Sequence, residues 1–127
     1  MSYRELDIYN EAFQLALEVH KASLVLPKFE LFEQGSQIRR ASKSIKDQIA
    51  EGYGRRKYKA DFVRFLIYSQ ASCDETISQL EMIKELYASD YDWGKLIQEY
   101  ATLGKKINNF IQYVQKSWKT EPATSNQ

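Results

Sequence analysis

From about Ala60 to Ala88, apolar or small residues fall at Phe62, Leu66, Ser69, Cys73, Thr76, Leu80, Ile83 and Tyr87, in alternating steps of four and three. That rhythm keeps one stripe of a helix in line over many turns, so the spacing predicts a long helix with a heptad seam. The last stretch repeats it from about Trp93 to Trp118 through Leu96, Tyr100, Leu103, Ile107, Phe110, Val114 and Ser117, with Asp92 as the expected N-cap. Ile38, Ala41, Ile45, Ile49 and Gly52 mark a shorter helix from about Gly35 to Tyr53. A first helix from about Asp7 to Leu26 ends at Pro27, because the residue before a proline avoids helical angles. Brief connections favour antiparallel neighbours. The pattern predicts an all-α fold, an antiparallel up-down-up-down four-helix bundle over residues 1–118. Residues 119–127, with Pro122 and no apolar anchor, are expected to form a disordered C-terminal tail.

Helix one carries more apolar surface than a solitary bundle requires. At about 100° per residue, Leu6, Tyr9, Phe13, Leu17, His20 and Leu24 share one face, and Ile8, Ala12, Leu15, Val19, Ala22 and Leu26 the opposite one. Monomers rarely leave such a stripe uncovered. The second face, through Ile8, Leu15, Val19, Ala22 and Leu26, is therefore expected to bury against a second copy of the chain; the alternative is a helix sunk deep in its own bundle.

Length and composition narrow the class. A chain of 127 residues, 43% of them hydrophobic, closes one core. A mean hydropathy of −0.56 and the lack of a long apolar run argue against a membrane span. The charged opening MSYRELDIYNE does not read as a secretory signal, and one cysteine fits a reducing compartment, so a cytoplasmic location is expected.

The net charge of +1 hides an uneven distribution. From Arg39 to Arg64 nine basic residues stand against three acids, a surplus of +6 that leaves −5 for the remainder. Arg39, Lys43 and Lys46 fall on one flank of helix two, and Arg55, Arg56, Lys57 and Lys59 extend them through the following turn. Tyr53 and Tyr58 are interleaved and offer stacking surfaces for unpaired bases. These seven cations are the candidate nucleic-acid contacts, positioning phosphates without choosing sequence. The alternative is a solvated helix surface, with Lys43 paired to Asp47 and Glu51 to Arg55.

The stretch Gly52-Tyr53-Gly54 lies where the helix-two pattern gives out, and glycine there is expected to take the left-handed cap conformation. A phosphate loop would need a GK[ST] or a third spaced glycine, and neither is present. One histidine excludes a di-iron bundle, and one Cys with one His makes a zinc site improbable. His20 lies among apolar neighbours and reads as a packing residue, and a Cys73–His20 nucleophile pair would sit out of reach of substrate. Glu51 and Glu75, each beside small residues, are expected to be partly buried and ion-paired. The reading is of a protein with no enzymatic activity and no cofactor.

Leu6 and Tyr9, Pro27-x-x-Glu30, Gln37-Ile38-Arg39-Arg40-Ala41 with Ser44-Ile45, Ile49-Ala50-Glu51-Gly52-Tyr53-Gly54-Arg55, Asp61-Phe62 with Arg64-Phe65-Leu66, and Ser72 with Glu75 form a combination spread over roughly residues 3–118. Together they resemble the bacterial four-helix-bundle family whose founding members are encoded in intervening sequences of 23S rRNA genes. The resemblance implies a left-handed bundle assembling into a ring, commonly a pentamer, with no established enzymatic activity. A relative of the same fold, the accessory protein of diversity-generating retroelements, is a basic ring that works with a reverse transcriptase and its RNA. The implied partners are further copies of the chain, RNA or DNA, and a protein partner. Gln34 replaces the hydrophobic residue usual before the QIRRA helix, which loosens the expected start of helix two.

Overall fold

A computed structural model describes residues 2–119. All four expected helices are present: α1 (Asp7–Ser23), α2 (Gln34–Gly54), α3 (Lys59–Leu86) and α4 (Trp93–Ser117). Among the described residues there is no strand. The tail expected over 119–127 lies, but for Lys119, outside the described residues.

The heptad reading of α3 predicts its buried side without error up to the last turn: Phe62, Leu66, Ser69, Cys73, Thr76, Leu80 and Ile83 are buried and Tyr87 is half-buried. Leu96, Tyr100, Leu103, Ile107 and Val114 of α4 face the same core, joined by Ile111. Each fully buried Leu or Ile contributes roughly 1.5–3 kcal/mol, so this shared seam is the main source of cohesion. Asp92 caps α4 as expected, its Oδ1 accepting from the Lys95 N–H at 3.1 Å. α2 packs along α3, α3 along α4, and α1 is held between α2 and α4.

The α2–α3 contact is unusually close because small residues line it. Ser69 donates its hydroxyl to the Ile45 carbonyl at 2.8 Å, and the Ser44 and Ser72 hydroxyls meet at 3.0 Å. A Cβ on Gly52 would stand 3.0 Å from Phe65 Cβ and 3.3 Å from the Phe62 carbonyl oxygen. These serines do not compete with their own helices, because their hydroxyls find partners across the seam.

Two 3₁₀ turns, Tyr3–Glu5 and Lys28–Phe32, were not expected from the periodicity. The second has a visible anchor. Glu30 is buried and accepts hydrogen bonds from Tyr87 Oη and Gln34 Nε2, both at 2.8 Å. The Tyr87 hydrogen bond, opposed by burial and helped by Gln34, holds the Glu30 carboxyl below the usual carboxylate range. The same bond, with burial, pushes the Tyr87 phenol up. Glu30 thus ties the α1–α2 connection to the end of α3, and through Gln34 it steadies the helix start that lacks a side-chain cap.

Candidate nucleic-acid interface

Helix α2 runs through both Gly52 and Gly54 and ends at Arg55, whose φ of −103° is ordinary. Among the described residues no glycine has a positive φ, so the expected left-handed cap is absent. The stop is made instead by three-residue hydrogen bonds, Arg55 N–H to the Gly52 carbonyl and Arg56 N–H to that of Tyr53. Gly52 is required by the close approach of Phe65, while Gly54 has open space around it. Tyr58 N–H then bonds to the Arg55 carbonyl at 2.8 Å, closing the turn that leads into α3.

This local path splits the predicted cations into two groups. Sixteen residues separate Arg39 from Arg55 within or at the end of one helix, about 24 Å at roughly 1.5 Å per residue. Arg39 is committed to structure: Nη1 donates to Ser23 Oγ at 2.9 Å and Nη2 to the Leu31 carbonyl at 2.7 Å. Lys46 pairs with Asp47 at 2.6 Å and lies over the Phe13 ring. Lys43 is exposed on the same side as His20; burial first, then the charges of Lys43 and Arg39, hold the His20 imidazole below its ordinary value.

The second group surrounds the α2–α3 corner. The Arg55 guanidinium lies 4.6 Å from the Phe65 ring centroid, and Arg64 lies 5.4 Å from the same ring while pairing with Asp61 at 3.0 Å. Arg56 stacks on Tyr53 at 4.2 Å and donates to the Tyr53 carbonyl at 3.0 Å. Lys57 stands 5.8 Å from the Tyr58 ring. Neither of the neutralising pairs expected from helical spacing, Lys43 with Asp47 or Glu51 with Arg55, is formed. Among the described residues, Lys43, Arg55, Arg56, Lys57 and Lys59 have no ion-pair partner. Elsewhere, a groove of about 400 Å³ between α1 and α4, lined by Asn10, Glu11, Gln14, Leu15, Glu99 and Thr102, carries carboxylates and suits no phosphate.

Aromatic assignments change as well. Tyr53 is buried, packed edge-on against Phe62 and Trp118, and offers no stacking face to a base. Tyr58 is 63% exposed. Two aromatics not singled out from the sequence join it: Phe65, and Tyr68, which is 45% exposed and lies edge-on to Phe65 at 5.4 Å.

The oligomer face of α1 is corrected. Ile8, Leu15, Val19, Ala22 and Leu26 are only 1–8% exposed and belong to the chain's own core. The opposite stripe carries the bare apolar surface, with Phe13 37%, Leu17 44% and Leu24 58% exposed. Both stripes are apolar; size decides between them. Ala12, Ala16, Val19 and Ala22 let α1 approach its neighbours closely, which Phe13 and Leu17 would prevent.

Glu51 and Glu75 are both exposed, and Glu75 accepts only from Gln79, so the expected partial burial and ion pairing do not occur. Cys73 is buried and its Sγ donates to the Tyr100 carbonyl at 3.4 Å. Burial first, then Asp74, pushes this thiol up to about 12. Its hydrogen bond goes to Tyr100, and the charged neighbours of His20 are Lys43 and Arg39.

The sequence model of the family described as 23S rRNA-intervening sequence protein matches residues 4–109 of this chain. No curated protein matches it.

Proposed function

The chain belongs to the 23S rRNA-intervening sequence protein family, and from that premise we propose that it is a non-enzymatic RNA- or DNA-binding bundle that works as a homo-oligomer. Phosphates are taken by the α2–α3 corner, with Arg55, Lys57 and Lys59 as the contacts and Lys43 as an outlying one. Arg39 and Lys46 drop out of the contact set because Arg39 is tied to Ser23 and the Leu31 carbonyl and Lys46 is neutralised by Asp47. The finer topology is an antiparallel up-down bundle, supported by connections of four residues between α2 and α3 and six between α3 and α4, with the left hand that the family resemblance implies. The assembly is a ring, commonly a pentamer in such bundles, closed through the bare stripe of Phe13, Leu17 and Leu24. Its home is the cytoplasm; among the described residues no helix is long and apolar enough to cross a membrane. The lack of an activity is supported by the one thiol, which is buried and held protonated.

One observation carries the nucleic-acid reading: Arg55, Lys57 and Lys59 have no ion-pair partner, Arg55 although Glu51 stands four residues before it. Four phosphate contacts give a slope of about −3 in log affinity against log salt, a loss of roughly fiftyfold or more between about 50 and 200 mM. Filter retention of labelled RNA and DNA over that range is the test. Arg55→Glu with Lys57→Glu abolishes retention and leaves the assembly intact; no retention at the lowest salt ends the reading.

A second reading, a scaffold for a protein partner, is favoured by Phe29 and Phe32, which stand largely exposed on the α1–α2 connection. An intact oligomer that retains no nucleic acid supports it.

A further inference from the structure

We propose that the α2–α3 corner takes an unpaired nucleic-acid strand, whose bases stack on Tyr58 and Tyr68 while Arg55 and Lys57 hold the phosphates. This rests on the reading of the corner as a phosphate-binding surface and adds the form of nucleic acid it selects.

Two features beyond charge point there. A duplex presents phosphates and closed base pairs, and a surface for it needs cations and polar groups but no flat apolar faces. The corner has both cations and faces. Tyr58 is the residue just before α3 and Tyr68 lies in its third turn, so the strip between them is about 15 Å long at roughly 1.5 Å per residue. That is enough for a few successive nucleotides. Both tyrosines are exposed, which nothing in the packing of the chain requires.

Phe65 sets the geometry. Its ring meets the Arg55 guanidinium at 4.6 Å and that of Arg64 at 5.4 Å, so two planar cations are held against one face-forming ring. Guanidinium planes fixed in this way accept a stacked base on their outer side as aromatic rings do. Arg64 spends a hydrogen bond on Asp61, whereas Arg55 has no carboxylate and keeps its donors for phosphate. Tyr68, edge-on to Phe65 with ring planes at 77°, offers the next platform. Charge and ring are thus interleaved: Lys57 beside Tyr58, Arg55 and Arg64 against Phe65, and Phe65 against Tyr68. Such alternation is what a sequence-tolerant single-strand groove uses.

The test is fluorescence anisotropy of the full chain with three labelled probes of equal length: oligo(U), oligo(dT) and a mixed-sequence DNA duplex. The expected result is about tenfold tighter binding of the single strands than of the duplex. Tyr58→Ala with Tyr68→Ala removes that advantage and leaves duplex affinity and the thermal midpoint unchanged, and Tyr68→Phe keeps it. Preference for oligo(U) over oligo(dT), or equal binding of both, identifies RNA or either strand as the source. Equal binding of single strand and duplex, with both alanine changes silent, overturns the inference and leaves the phosphate-binding reading standing. Retention of none of the probes overturns both.

Discussion

Replacing Leu17 by aspartate separates the two apolar stripes of α1 by their consequences. Phe13, Leu17 and Leu24 are 37%, 44% and 58% exposed, together about one and a half side chains of uncovered surface. At roughly 2 kcal/mol for a fully buried apolar side chain, covering the stripe contributes about 3 kcal/mol per protomer, of which Leu17 supplies about 1. Aspartate loses that and adds the cost of an unpaired carboxylate in the contact, several kcal/mol. A total of about 4 kcal/mol weakens association close to a thousandfold. Size-exclusion chromatography with light scattering is therefore expected to show Leu17→Asp at 14.9 kDa at micromolar concentration where the wild type is assembled, with the helical circular dichroism and melting of a folded chain. Val19→Asp behaves differently, because Val19 is 1% exposed in the chain's own core and a buried charge there competes with a total stability of about 5–15 kcal/mol. It is expected to unfold the protein. A wild-type mass of 14.9 kDa, or a Leu17→Asp variant that stays assembled, would refute the reasoning.

Cys73 should resist a thiol reagent at pH 8 in the folded chain and react at once in denaturant, since its thiol is buried and raised to about 12; fast reaction in native buffer contradicts its placement. Glu30 is held below the usual carboxylate range, so it contributes stability above its unfolded value and that stability is lost as pH falls through the folded one. Removing its main cause with Tyr87→Phe should make acid melting set in at higher pH than in the wild type, followed by circular dichroism; superimposable profiles would exclude the bond. Gly104→Ala should raise the denaturant midpoint by the equivalent of about 0.5–1 kcal/mol, because a Cβ there meets only Cys73 Sγ at 3.6 Å. Gly52→Ala should give no such gain, its Cβ landing 3.0 Å from Phe65 Cβ.

What was legible in the sequence had many turns to average over. The α3 seam from Phe62 to Ile83 and the α2 seam from Ile38 to Gly52 were read correctly because each repeats the same spacing, and one mistaken position would have broken the rhythm. The Lys28–Phe32 turn has five residues and no period, and the bond that fixes Glu30 comes from Tyr87, 57 residues away. Periodicity identified both stripes of α1 yet gave no means of ordering them. Hydrophobicity is nearly equal on the two sides, and the core took the one with alanines because close approach depends on side-chain volume. Gly52 was misread for a related reason: glycine serves a left-handed turn or a tight contact, and only the neighbouring helix distinguishes them.

The charge surplus between Arg39 and Arg64 illustrates how a sum along the chain misleads about a surface. One helix carries these residues over a length of about 24 Å and turns them to different neighbours. Arg39 becomes a clamp between α1 and the 28–32 turn, Lys46 is neutralised by its own neighbour, and the unsatisfied charge contracts to the corner. On the proposed reading, a corner with so few free cations would bind phosphate weakly as one copy. Repeated around the proposed ring, the same corner would gain from effective concentration, since a strand held at one subunit would meet the next without a new diffusive search. On that reading the bare stripe of α1 and the corner depend on each other: assembly would supply the repetition, and repetition the affinity that the charge count on its own overstated.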